Sequence, residues 1–233
     1  MLKYGVIIYF FEDSRFINFI NFPHERFLMP NNKKLKRITI TGPPCAGKST
    51  IIKTFHKEFR DTIQCVPEIA TMVITELEIT PETKESSIVL TKEFGNTLYY
   101  VQQHLEKLSE EIAKETGKKA LLLDKSCLDV AVHFLRIGKT LKEYENYFNT
   151  TIPDNYRESD LVLFIGLPRK DIYESVRSNN AARRETYEEA KLAEERYFHV
   201  WQNHPRLIYI KNNSSWEDCL NKARKTIYDF LAV

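Results

Sequence analysis

From residue 36 onward, short apolar runs alternate with long amphipathic stretches. Five runs, at 37–41, 62–66, 120–123, 161–165 and 207–210, mostly lack the strict alternation of a half-buried strand. They predict β-strands covered on both faces. Between the second and third, Phe94, Leu98, Val101, Leu105, Leu108 and Ile112 recur every three or four positions. That spacing traces one face of a long helix ending near Gly117 and packing on the sheet. A last helix opens at Ser215, three residues before Asp218, and carries Trp216, Leu220, Ala223, Ile227 and Phe230 on one stripe. Strand and helix in alternation are the mark of βαβ units, so the fold class is α/β with a parallel sheet. No repeat with a period of roughly 20–50 residues is present, and residues 35–233 form a single domain.

The first 34 residues break the pattern. Residues 4–11 have the composition of a strand, 16–22 are aromatic and irregular, and Pro23, Pro30 and Asn31-Asn32-Lys33-Lys34 resemble a linker. This N-terminal extension (1–34) is an added edge strand, an arm for a partner, or a tail with local packing only, and it carries no chemistry. Its most apolar run, 6–11, is too short to span a bilayer and is followed by Glu12, Asp13 and Arg15, so no membrane span or export signal is expected.

Composition narrows the partners. The chain balances 34 basic against 32 acidic side chains, a net charge of +2 that disfavours non-specific nucleic-acid binding and requires any anion to be held locally. Cys45, Cys65, Cys127 and Cys219 are far apart with no CxxC pair, which fits a reducing cytoplasm better than a zinc knuckle or disulfide framework. Glycine is scarce, with 7 in 233 residues, so each one invites a reason.

Two of the seven glycines fall in Gly42-Pro43-Pro44-Cys45-Ala46-Gly47-Lys48-Ser49-Thr50. This stretch satisfies G-x-x-x-x-G-K-[ST] and lies between a predicted strand and an amphipathic stretch. The loop would sit at a helix N-terminus with unpaired N–H groups aimed at phosphate oxygens. Lys48 would place its charge between the β- and γ-phosphates, and the Ser49 hydroxyl would ligate Mg²⁺. Cys45 is a small filler or a nucleophile, the former favoured by its small, apolar neighbours.

In an open parallel sheet the ligand lies beyond the carboxyl ends of the strands. Leu121-Leu122-Leu123-Asp124 ends an apolar run in a carboxylate suited to Mg²⁺ or to the substrate hydroxyl. Lys125 follows, to touch substrate or phosphate or to form a structural ion pair. Glu68, just past the second strand, is placed to act as a base or to bind a sugar, the bland alternative being a solvated loop acid. Asp129 is a weaker candidate that equally suits a helix cap. Between two helical patterns, residues 177–186 include Arg177, Arg183 and Arg184. They form a lid whose arginines close over the nucleotide, or a solvated surface paired with Glu188 and Glu189. Gln102 and Gln103 on the long helix either hydrogen-bond an acceptor or face solvent.

The phosphate loop, Val66-Pro67-Glu68-Ile69-Ala70, Asp124-Lys125-Ser126 and Ala182-Arg183-Arg184-Glu185 together resemble the P-loop kinase superfamily, with the arrangement of nucleoside and nucleotide kinases. Within it the chain is most similar to the small AAA-type ATPase domain group that includes the nicotinamide-riboside kinase domain of the bacterial NAD regulator and the TRPL translocation defect protein. The resemblance covers about residues 36–231. It implies a three-layer α/β/α sandwich with a five-stranded sheet in the order 2-3-1-4-5. It also implies Mg²⁺, ATP or GTP, and Glu68 and Asp124 facing the acceptor. Lys125 departs from it, since many relatives have arginine there and the two differ in bidentate phosphate binding.

Two functions fit. One is an enzyme passing the γ-phosphate of ATP to a nucleoside- or nucleotide-like small molecule, with Lys48, Glu68, Asp124, Arg183 and Arg184 as its catalytic set. The other is an ATP- or GTP-binding switch with slow hydrolysis that acts on a protein or lipid partner. No N-K-x-D string supports an ordinary GTPase, and no L-S-G-G-Q signature supports an ABC-type ATPase. A kinase acting on nucleic acid is disfavoured by the charge balance.

Overall fold

The computed structural model describes residues 34–79, 88–178, 185–212 and 215–232. The expected N-terminal extension up to residue 33, and Arg183 and Arg184 of the expected lid, lie outside the described residues. Five parallel strands, β1 (Lys36–Thr41), β2 (Ile63–Val66), β3 (Ala120–Asp124), β4 (Leu161–Pro168) and β5 (Leu207–Asn212), form one sheet in the order β2-β3-β1-β4-β5. The order matches the one implied by the resemblance.

The described helices are α1 (Lys48–Glu58), α2 (Ile69–Glu76), α3 (Ile88–Glu115), α4 (Ala131–Arg136), α5 (Leu141–Phe148), α6 (Ile152–Arg157), α7 (Lys170–Ser178), α8 (Tyr187–Trp201) and α9 (Trp216–Ala232). Alternation along the strands sorts the core into layers. Ile38, Ile40, Leu122, Leu163 and Ile165 face Ile51 and Phe55 of α1 and Ala223 and Ile227 of α9. Val162 and Phe164 face the opposite way, toward Phe94 and Leu98 of α3 and Val200 and Trp201 of α8. Helices on both sides of the sheet make the three-layer sandwich, and burial on both faces is why β3 and β4 lack polar alternation, while the threonines that alternate with Ile38 and Ile40 on β1 are buried too, Thr39 against Ser159 and Thr41 against Asp129. Among the described residues, no helix is long and apolar enough to cross a membrane.

Two expectations need correction. The predicted face of α3 does not pack along its whole length, because Leu108 is 56% and Ile112 39% exposed. The buried seam instead runs through Phe94, Leu98, Gln102, Glu106, Ser109 and Ala113. A stripe alternating by four and three keeps a period of 3.5, and on a straight α-helix it drifts by about 20° per heptad, so its end turns away from the sheet. Two of its polar residues are paired: Arg37 pairs with Glu106, and Gln102 donates to Glu106 at 2.8 Å. The fifth strand is not covered on both faces either. Ile208 and Tyr209 are exposed because β5 is a sheet edge, where Tyr209 stacks on Phe164 at 5.2 Å and donates to Glu194.

The sheet order puts β1 between β3 and β4, so the chain crosses to opposite sides at the carboxyl end of β1. That switch point is where ligands bind in open α/β sheets.

Candidate functional site

The loop leaving β1 has left-handed backbone at Gly42 (φ 128°), Cys45 (φ 57°) and Gly47 (φ 87°). Gly42 is doubly constrained, because a Cβ there would run into the carbonyl oxygen of Ile165 on β4. Gly42→Ala is therefore expected to cost roughly 3 kcal/mol, or about 6–12 °C in Tm for a domain of this size, as checked by thermal unfolding. At the other end, the Trp216 ring covers the place where a Cβ of Gly47 would stand, and Asn212 Nδ2 donates to Ala46 O at 3.0 Å. The loop is thus clamped between β4 and the start of α9.

Gly47 caps α1 without a side-chain hydrogen bond. No side chain covers the N–H groups that open the helix at the positive end of its dipole, which suits phosphate binding, while Thr50 N and Ile51 N both donate to Gly47 O at 3.0 Å. Lys48 is buried, and its Nζ donates to Pro43 O at 2.5 Å, folding the side chain back over the loop. Cys45 shares a hydrogen bond with the Tyr173 hydroxyl of α7.

Ser49 Oγ donates to Asp124 Oδ2 at 3.1 Å. The other carboxylate oxygen, Asp124 Oδ1, is buried and has no hydrogen-bond partner among the described residues. Burial pushes the Asp124 carboxyl up to about 6, the Glu68 charge adding to the rise, while Lys48, Lys125 and the Ser49 hydrogen bond pull it down. A hydroxyl beside a carboxylate with an unsatisfied oxygen suits Mg²⁺, whose charge would hold Asp124 ionised.

Glu68 ends the β2 loop and starts α2. Its side chain is only 7% exposed, with Oε1 2.8 Å from Lys125 Nζ and Oε2 accepting from Thr71 Oγ1 at 2.8 Å. It is no solvated loop acid. Lys125 forms the ion pair of the two roles expected for it, and its Nζ also lies 5.2 Å from the centre of the Tyr197 ring on α8. Its backbone is left-handed (φ 70°), an unfavourable conformation for a residue with a Cβ. The strand-end bond from Lys125 N to Ile40 O, 3.0 Å, and the Gln102 amide on Lys125 O, 3.3 Å, hold it there. Gln102 is accordingly buried, and Gln103 is exposed.

Asp129 is a structural cap. It is buried and accepts from Ser126 N at 2.7 Å, Trp201 Nε1 at 3.0 Å and Thr41 Oγ1. Arg177, within the expected lid, donates to Glu185 O at 3.4 Å beside the Tyr173 hydroxyl, which donates to the same carbonyl at 2.9 Å.

A cavity of about 340 Å³ adjoins the loop, and its walls include Pro44, Glu68, Lys125, His133, Arg136 and Arg196. The last three escaped the sequence analysis because they are single polar residues within helical patterns, and only the packing of α4 against α8 brings them to the loop.

The sequence profile of the AAA domain matches residues 37–218. Among solved structures, that of NadR protein in complex with NR superposes with a TM-score of 0.63, at 15% identity, over 85% of this chain and 52% of that one. The chain therefore spans about half the length of that protein. No curated protein matches the sequence. With a profile match over most of its length, a phosphate loop between β1 and α1 and a β2-β3-β1-β4-β5 sheet, the chain belongs to the AAA domain family, within the P-loop NTPase-like class.

Proposed function

We propose that residues 35–233 form a small-molecule kinase that transfers the γ-phosphate of ATP to a nucleoside- or nucleotide-like acceptor, with 177–186 as its lid. The observation that carries this reading is the buried Glu68 carboxylate, which shares one cavity with Pro44 of the phosphate loop. A nucleotide switch needs no second recess opening onto the loop, whereas a kinase must hold an acceptor there. That the superposed NadR structure contains NR is in keeping with a small acceptor.

In this mechanism the loop amides and Lys48 hold the β- and γ-phosphates. Ser49 and Asp124 are the residues that would hold Mg²⁺, which offsets phosphate charge when bound. Glu68 orients the acceptor hydroxyl and takes its proton as the new oxygen–Pγ bond forms and the bond to the β-phosphate oxygen breaks, releasing ADP. Lys125 fixes the Glu68 carboxylate for that task, and Arg177, Arg183 and Arg184 supply positive charge from the lid. The four cysteines are free thiols, which supports a cytoplasmic setting where ATP and Mg²⁺ are present.

The test is ADP release by purified protein with ATP and Mg²⁺, alone and with a panel of nucleosides and nucleoside monophosphates. Stimulation by a subset of the panel is expected. Equal slow turnover with every compound would contradict the proposal and favour the switch.

A further inference from the structure

Most charged groups on the cavity walls are matched within the protein. Lys125 pairs with Glu68, and Glu189 accepts from Thr186 N and Oγ1 with Arg136 in electrostatic reach. Arg196 differs. It stands on α8 one residue before Tyr197, is half-buried and lines the cavity, yet its guanidinium has no hydrogen bond or ion pair among the described residues. A guanidinium carries five N–H donors in a planar fork, and on a cavity wall with no protein partner they are available to a ligand. An anion in the cavity would satisfy the fork with charge-assisted hydrogen bonds, and Arg136 and His133 on the same walls would reinforce it. A carboxylate oxygen, Glu185 Oε2, is likewise buried and unpartnered among the described residues, and its residue lines the same cavity. It calls for an N–H or O–H donor.

We propose that the acceptor is an anionic small molecule, a phosphate- or carboxylate-bearing compound with hydroxyl or N–H donors, and that Arg196 grips its anionic group. This rests on the kinase proposal and narrows it, since a neutral or cationic nucleoside leaves Arg196 unmatched.

Two measurements test it. Calorimetry on protein loaded with a non-hydrolysable ATP analogue and Mg²⁺ compares ribose with ribose 5-phosphate, ribose with ribonate, and nucleosides with their 5′-monophosphates. Steady-state kinetics with ATP use the same pairs. Anionic members are expected to bind and the neutral ones to bind far more weakly, with the phosphate and carboxylate arms showing which anion is preferred. Arg196→Ala should raise the acceptor Kd or KM about tenfold or more while leaving the KM for ATP unchanged, because charge-assisted bonds to one group are lost. Arg196→Lys should fall between, keeping the charge without the fork. A neutral nucleoside taken as readily as its monophosphate, with no effect of Arg196→Ala, would overturn the proposal and leave the kinase assignment standing. A raised KM for ATP alone would overturn it by assigning Arg196 to the nucleotide. Binding of the anionic compounds that depends on Arg196 without any transfer would keep the anion site and defeat the kinase assignment.

Discussion

Lys48→Ala is expected to weaken binding of ATP·Mg²⁺ by about 100-fold or more, the loss that follows when a buried ammonium no longer bonds the phosphates. The side chain is already folded over the loop onto Pro43 O, so little ordering remains to be done when phosphate arrives. The effect should be seen in direct titration with a fluorescent nucleotide, independently of turnover. Lys48→Met, which keeps the aliphatic stem in its buried setting, should lose as much affinity and guards against a folding defect. The substitution also removes one of the charges that hold the Asp124 carboxyl down, so that carboxyl should rise further in the apo protein. Near-normal nucleotide affinity in both variants would mean that the loop does not bind phosphate as described.

Glu68→Gln should produce the opposite separation, with nucleotide affinity retained and phosphoryl transfer lowered by about 10²–10⁴-fold, the usual worth of a positioned proton acceptor. The amide keeps the shape and can still accept from Thr71, but it cannot take a proton or balance Lys125. An unbalanced Lys125, whose side chain is only 16% exposed, is expected to destabilise the fold, and removing one partner of a buried pair costs roughly 3 kcal/mol. The double variant Glu68→Gln with Lys125→Met removes that charge. It should recover thermal stability and recover no transfer, which separates the chemical role of Glu68 from its structural one. Normal transfer by Glu68→Gln would show that some other group receives the proton.

The parts of this structure that were legible in the sequence are those encoded locally. The buried strands β3 and β4 are contiguous apolar runs, and the phosphate loop is nine consecutive residues whose glycines stand where the backbone turns left-handed. Asp124 and Glu68 were found by asking what lies at strand ends, a rule that follows from topology alone. What the sequence left open is assembled across the fold. The Glu68–Lys125 pair joins the ends of β2 and β3, Tyr197 comes to it from α8, and Gln102 from α3, four segments with no common spacing. Asp129 was ambiguous between site and cap until Thr41, Ser126 and Trp201 converged on it. The α3 stripe misled because a 3.5-residue repeat and a 3.6-residue helix part company over several turns, and because a buried Arg37–Glu106 pair occupies what the pattern scored as a polar face.

The most direct measurement of the central claim is the fate of the terminal phosphate of γ-labelled ATP, incubated with the protein, Mg²⁺ and the panel of nucleosides and monophosphates. Phosphoryl transfer to a small acceptor predicts label on an organic product, formed in step with ADP and lost in Glu68→Gln. Label released only as inorganic phosphate, at one slow rate whatever compound is added, would contradict it.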